Sequence, residues 1–76
     1  MLWYVTDMWE EFFAIPVTVK HEDEKGGGVV VWSLGDGMTQ EYRVYDLAEL
    51  HQTKAAAEME AAHMNTLKIQ RKSDQF

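Results

Sequence analysis

The chain contains no cysteine and only one proline. Without thiols, neither a disulfide nor a thiolate zinc site can reinforce the core, and a reducing compartment is the natural expectation. No run approaches the roughly 18 apolar residues that a membrane span needs. The opening Met1–Asp7 has neither a basic stretch nor a long apolar run, so no signal peptide is expected and the protein should be cytoplasmic. Positive charge is also scarce, with seven Lys and Arg against thirteen Asp and Glu. Residues 1–60 hold twelve carboxylates and four basic side chains, a net of −8, whereas residues 61–76 hold one and three, a net of +2. An acidic body with a basic tail repels phosphates and attracts basic protein surfaces, which argues against direct nucleic-acid binding.

Across 76 residues, 46% are hydrophobic and nine are aromatic, a composition that folds. A chain this short forms one domain and buries only about 60% of its unfolded surface, so its stability margin is small. Leu2 to Val5 is short, aromatic and β-branched, and reads as a first strand. In the segment 12–21, Phe13, Ile15, Val17 and Val19 alternate with Phe12, Ala14, Thr18 and Lys20, the period of a half-buried strand with odd positions inward. Pro16 cannot donate to a ladder, which predicts an edge or a bulge at that point. The segment 29–34 is almost continuously apolar, as in a strand covered on both faces. Gly35-Asp36-Gly37 supplies a tight turn into a fourth strand over 40–45, with Tyr42 and Val44 pointing inward.

At Asp46 the period changes. Asp46-Leu47-Ala48-Glu49 has the form of a capping box and predicts a turn over 47–50. Thr53 then offers an N-cap before Lys54-Ala55-Ala56-Ala57, which predicts a helix over about 53–69 and a frayed tail over 70–76. On that helix Ala55, Met59, Ala62 and Ile69 form the expected inward stripe, flanked by Ala56, His63 and Leu67. The expected fold is α+β: an antiparallel β-meander of three to four strands with one C-terminal α-helix packed on one face. The opposite face would then be uncovered, which invites a partner or a homodimer.

Candidate chemistry is sparse. His21, His51 and His63 lack the close pairing of metal ligands, and Glu22-Asp23-Glu24 lacks the spacing of a calcium loop. Gly26-Gly27-Gly28 leads into Val29-Val30-Val31 instead of a Lys-Ser or Lys-Thr helix start, so it is no phosphate loop but a flexible connection. Ser33, Ser73 and the neighbouring carboxylates Glu10 with Glu11 and Glu58 with Glu60 have no motif around them. Neither enzymatic activity nor a cofactor or metal is expected. Trp3, Trp9, Trp32, Phe12, Phe13, Tyr42 and Tyr45, by contrast, are more than one helix can cover. Half of their weight falls to completing the core and half to an interface, where Trp and Tyr are the usual anchors.

The segment Val44-Tyr45-Asp46-Leu47-Ala48-Glu49-Leu50-His51-Gln52-Thr53-Lys54-Ala55-Ala56-Ala57-Glu58 resembles the ending of many small phage and prophage proteins, in which a last strand leads through a Thr-Lys cap into an Ala/Glu-rich helix. The aromatic opening Leu2-Trp3-Tyr4-Val5 fits the same type. The resemblance implies a small protein of a mostly uncharacterised class, some acidic members of which block host defence or nucleic-acid enzymes. Residues and resemblance together lead to the expectation of a non-enzymatic acidic interaction protein and, at its most specific, of an anti-CRISPR-type inhibitor of a host nucleic-acid-binding complex acting by charge mimicry. Its expected contacts are Asp7, Glu10, Glu11, Glu22, Asp23 and Glu24 for charge, with Trp9 and Trp32 as anchors. The other expectation is a structural homodimer or assembly subunit, with its charge serving solubility.

Overall fold

A computed structural model describes residues 1–74, with side chains described as far as residue 70. Four antiparallel strands, β1 (Leu2–Met8), β2 (Glu11–Glu22), β3 (Gly28–Gly35) and β4 (Met38–Val44), lie in the order β1-β2-β3-β4. A 3₁₀ turn over Leu47–Glu49 and the helix α1 (Lys54–Asp74) follow. The fold is therefore an α+β meander with one C-terminal helix packed against it, as the periodicities predict. The Asp46 carboxylate accepts from the Ala48 amide at 2.9 Å, and the Thr53 hydroxyl oxygen accepts from the Ala56 amide at 3.2 Å, so both predicted caps are in place. The helix continues beyond the predicted end at residue 69 to Asp74, and residues 75 and 76 of the expected frayed tail lie outside the described residues.

Strand β1 is longer than its apolar core suggests. Asp7 belongs to it, leaving only Trp9 and Glu10 as the turn before β2. On β2, Ile15 and Val17 face inward and are buried, whereas Phe13 and Val19 on the same face are more than a third exposed. Val30, Val44 and Leu50 complete the buried cluster, with Leu2, Tyr4, Met8, Trp32, Tyr42 and Leu47 packed around it.

The sheet is strongly curled. In a flat sheet β1 and β4 would stand roughly 14 Å apart, three strand spacings. Here the rings of Tyr4 on β1 and Tyr42 on β4 have centroids 5.5 Å apart, and the Tyr42 hydroxyl donates to Met8 Sδ at 3.9 Å. The core thus lies in the concavity of the sheet. The uncovered flat face expected from sequence does not form, because curling turns that face in on itself.

Pro16 explains where the sheet opens. Trp3 exchanges both backbone hydrogen bonds with His51, each 2.9 Å, so its polar groups point away from β2. By the alternation of an antiparallel ladder, even-numbered residues of β2 then point theirs away from β1, toward β3. Pro16 is among them and has no N–H to give. The β2–β3 ladder runs from Glu22↔Gly28 to Thr18↔Val31 and no further. Beyond it the β1–β2 and β3–β4 hairpins diverge.

The helix lies against β1 and β2 on the convex side. There Lys68 Nζ sits 5.7 Å from the Phe12 ring centre and Lys54 Nζ 5.9 Å from that of Trp3. Its inward face is not the predicted one. Met59 and Ile69 are 75% and 66% exposed, Ala55, Ala62 and the flanking Ala56, His63 and Leu67 are exposed as well, and the buried residues are Ala57 and Ala61. Ala57, Ala61, Met64, Asn65 and Lys68 form the true stripe, roughly 200° around from Ala55 and Met59 at 100° per residue. Reading hydropathy alone turns Asn65 and Lys68 toward solvent; both point inward because the sheet offers each a partner.

Candidate interaction surface at the hairpin tips

Because neighbouring strands run antiparallel, the 9–10 turn and the 36–37 turn lie at one end of the sheet, and the 23–27 loop at the other. The two acidic clusters are accordingly separated by the length of β2, whose terminal residues Glu11 and Glu22 stand roughly 35 Å apart along an extended strand. Asp7, Trp9, Glu10, Glu11 and Trp32 gather at the tip end. Glu22, Asp23 and Glu24 do not join them.

The tip turn is built against its residues' preference. Trp9 and Glu10 have φ values of 51° and 69°, the two consecutive positive angles of a type I′ hairpin turn. Asn-Gly suits such a turn, whereas an ordinary L-residue in this region costs about 1–2 kcal/mol. The helix holds the turn in place. Lys68 Nζ donates to the Glu10 carbonyl at 2.7 Å and pairs with Asp7 at 3.1 Å. Two residues on from Glu10, the Asn65 amide bonds the backbone as a neighbouring strand would. Its Oδ1 accepts from the Phe12 N–H at 2.7 Å, and its Nδ2 donates to the Phe12 carbonyl at 3.1 Å. These groups point to the side of β2 on which β3 lies, but in the register of Thr18↔Val31 the last residue of β3, Gly35, falls opposite Ala14, so Asn65 bonds Phe12 past the reach of that strand.

Held in this way, Trp9 projects and is 84% exposed. The edge of its ring meets Phe13 at 6.3 Å between centroids. On one side lies a groove of about 430 Å³ between the two hairpins, lined by Asp7, Met8, Trp9, Trp32, Leu34, Gln40 and Tyr42. On the other side, a groove of about 270 Å³ separates the tip from the helix, with Glu10, Glu11 and Ile69 in its walls. Trp9 is the ridge between them. Trp32 is half-buried and belongs to the core cluster, so it forms groove floor and does not project. Among the described residues neither Glu10 nor Glu11 has a cationic side chain beside its carboxylate, and both rim the site.

At the far end Asp23 organises its own loop. Its Oδ1 accepts from the amides of Lys25 and Gly27, at 2.9 and 3.0 Å, and its Oδ2 pairs with Arg43 at 3.2 Å. Two of the three glycines beside it lie close against other backbone. A Cβ on Gly27 would lie 2.6 Å from the Tyr45 carbonyl oxygen, and one on Gly28 would collide with that of His21. Glu22 and Glu24 are exposed. His51 reaches the helix, where its imidazole meets the Glu60 carboxylate.

Sequence reading missed Met8, Leu34, Gln40 and Tyr42 as groove residues, and Asn65 and Lys68 as supports. An Asn and a Lys three residues apart amid a helix were the available signal, but polarity there ordinarily means solvent. Among the described residues, no three or more His, Asp or Glu side chains converge as a metal site, and no helix is long and apolar enough to cross a membrane. The chain matches no family model, no curated protein and no solved structure.

Proposed function

We propose that this chain is a non-enzymatic interaction module that grips a basic protein segment at its hairpin tips. Trp9 acts as the anchor, the groove beside it receives an apolar side chain, and Asp7, Glu10 and Glu11 face flanking Lys or Arg. The observation that carries the reading is Trp9 itself: a large aromatic displayed on a strained turn that two helix side chains hold in place. Strain of this kind persists only where surrounding contacts maintain it, and it concentrates at functional positions. Charge complements the apolar contact, since the tip carries Asp7, Glu10, Glu11 and Asp36 against Lys68. Trp at the centre of an interface commonly contributes 2 kcal/mol or more on truncation. Where the basic segment is one that otherwise holds nucleic acid, occupancy would be competitive, and inhibition of a host nucleic-acid-binding complex would take this form. Glu22 and Glu24 stand outside it.

Selection from a random peptide library tests the reading. Recovered peptides should combine an apolar residue with adjacent Lys or Arg and should bind more weakly as salt rises. Trp9→Ala should reduce their affinity roughly thirtyfold, the equivalent of about 2 kcal/mol, while Glu22→Lys with Glu24→Lys should leave it nearly unchanged at high salt. Equal binding by Trp9→Ala would remove the proposal.

A further inference from the structure

We propose that the outer edge of β4 is a self-pairing strand, through which two copies of this chain join in an antiparallel β4–β4 ladder with its dyad at Tyr42. The other edges of the sheet are engaged in part. His51 pairs with β1 at Trp3, the helix lies against β1 and β2, and Asn65 closes β2 at Phe12. Among the described residues, β4 has no backbone partner on its outer side along Met38–Val44, and it contains neither proline nor glycine to interrupt a ladder. Natural edges of this kind are usually protected by charge, which repels a second copy.

The charge on β4 is of both signs: within the chain Glu41 pairs with Lys20 at 2.9 Å and Arg43 with Asp23 at 3.2 Å, solvent-screened contacts worth little, which charges of a second copy can share or replace. Carrying the alternation from Phe12 across Thr18↔Val31 to Val30↔Tyr42 leaves Thr39, Glu41 and Arg43 with outward-pointing backbone groups. Only such residues can face one another in a hydrogen-bonded pair, so the possible dyads are few. A dyad on Glu41 or on Arg43 sets like charges directly opposite, and one on Gln40 leaves Arg43 facing the turn glycine. With the dyad on Tyr42, Glu41 faces the partner's Arg43 and Arg43 faces the partner's Glu41. Opposite charges in this position stabilise a ladder and like charges weaken it. The strand is electrically neutral within a chain of net charge −6, so pairing here adds no local repulsion. A single ladder covers less area than a typical permanent interface, which makes the dimer a weak one.

Sedimentation equilibrium of the full chain, from about 10 µM to about 1 mM, reads the dissociation constant directly. The wild type should pass from monomer to dimer across that range. Glu41→Arg and Arg43→Glu should each weaken association about tenfold, since each sets like charges opposite at two places. An equimolar mixture of the two variants should recover dimerisation, because a mixed pair has opposite charges at both positions. The amides of Glu41 and Arg43 in the wild type should also exchange more slowly as concentration rises, a readout that needs no variant. A monomer throughout, dimerisation of either variant at wild-type strength, a mixture no better than its components, or exchange at Glu41 and Arg43 that ignores concentration would each overturn the proposal. The groove beside Trp9 takes the side chains of Gln40 and Tyr42 from this strand, but Trp9 itself stands on the β1–β2 turn, away from the β4 edge, so Trp9→Ala should dimerise as the wild type does.

Discussion

Asn65→Ala separates the packing seen here from ordinary helix behaviour, because the two give opposite signs. Alanine is the better helix former by about 0.6 kcal/mol, so on propensity alone the change stabilises the chain. The structure adds the loss of two hydrogen bonds, from the Phe12 N–H at 2.7 Å and to its carbonyl at 3.1 Å. At about 1 kcal/mol each, with Phe12 half-buried and therefore partly open to water, the loss is roughly 2 kcal/mol. The net effect is a destabilisation of about 1.5 kcal/mol. For a domain of this size that lowers Tm by roughly 6–12 °C. Urea unfolding should show the same change as a lower midpoint at an unchanged slope, since the surface exposed on unfolding is nearly the same. The Phe12 amide should lose its protection against hydrogen exchange. His63→Ala, at an exposed position on the same helix, serves as the control and should stabilise by a few tenths of a kcal/mol. An Asn65→Ala protein as stable as the wild type, or more so, would refute the view that this amide serves as backbone partner to Phe12.

Other substitutions test the remaining parts. Glu10→Gly removes a side chain from a residue at φ 69° while leaving the backbone carbonyl that Lys68 holds, and it should raise stability by about 1 kcal/mol in thermal unfolding. Gly28→Ala brings a Cβ into the His21 carbonyl, which is backbone and cannot swing aside; the loss should reach roughly 3 kcal/mol and is readable by urea titration. Met59→Lys should change the folding free energy by no more than about 0.5 kcal/mol, because the side chain already faces solvent. A large loss at Met59 would restore the inward stripe that hydropathy suggests.

The contrast between Met59 and Asn65 shows what a sequence of this kind can and cannot carry. Strand alternation around Ile15 and Val17, the Asp46 and Thr53 caps and the Gly35–Gly37 turn are local signals, and each is found in the fold. Pro16 was also legible as an interruption. What the interruption does was not, because it depends on which side of β2 the missing N–H would have faced, and that is set by pairing at Trp3 and Phe12. The helix face failed for the same reason. Asn65 and Lys68 turn inward only because unpaired backbone groups await them there, at Glu10 in the turn and at Phe12 past the end of β3 in register. Curling, too, is a property of the assembled sheet: nothing in the spacing of Tyr4 and Tyr42 announces that their rings meet. At the tips, the residue types Asp7, Trp9, Glu10 and Glu11 were visible, but the groove that gives Trp9 a neighbour on the second hairpin was not.

These features form a causal sequence that ends at Trp9. A proline stops the β2–β3 ladder, the hairpins part, and a groove opens between their tips. At the start of β2, past the end of β3 in register, the Phe12 backbone has no strand partner, and Asn65 bonds it; one turn of helix further on, Lys68 reaches the Glu10 carbonyl and Asp7. The helix therefore spends its two inward polar residues on the hairpin tip, while its tightest packing rests on two alanines. Were the tip only a connection, a less strained pair of residues would serve there with a more stable chain, as the expected gain from Glu10→Gly implies. Supports that act on a turn whose own residues disfavour it make sense when the turn's position matters, and the side chain whose position they fix is the exposed indole. A change that relaxes the turn without moving Trp9 should therefore stabilise the fold and preserve binding, whereas one that frees Asn65 or Lys68 should weaken both.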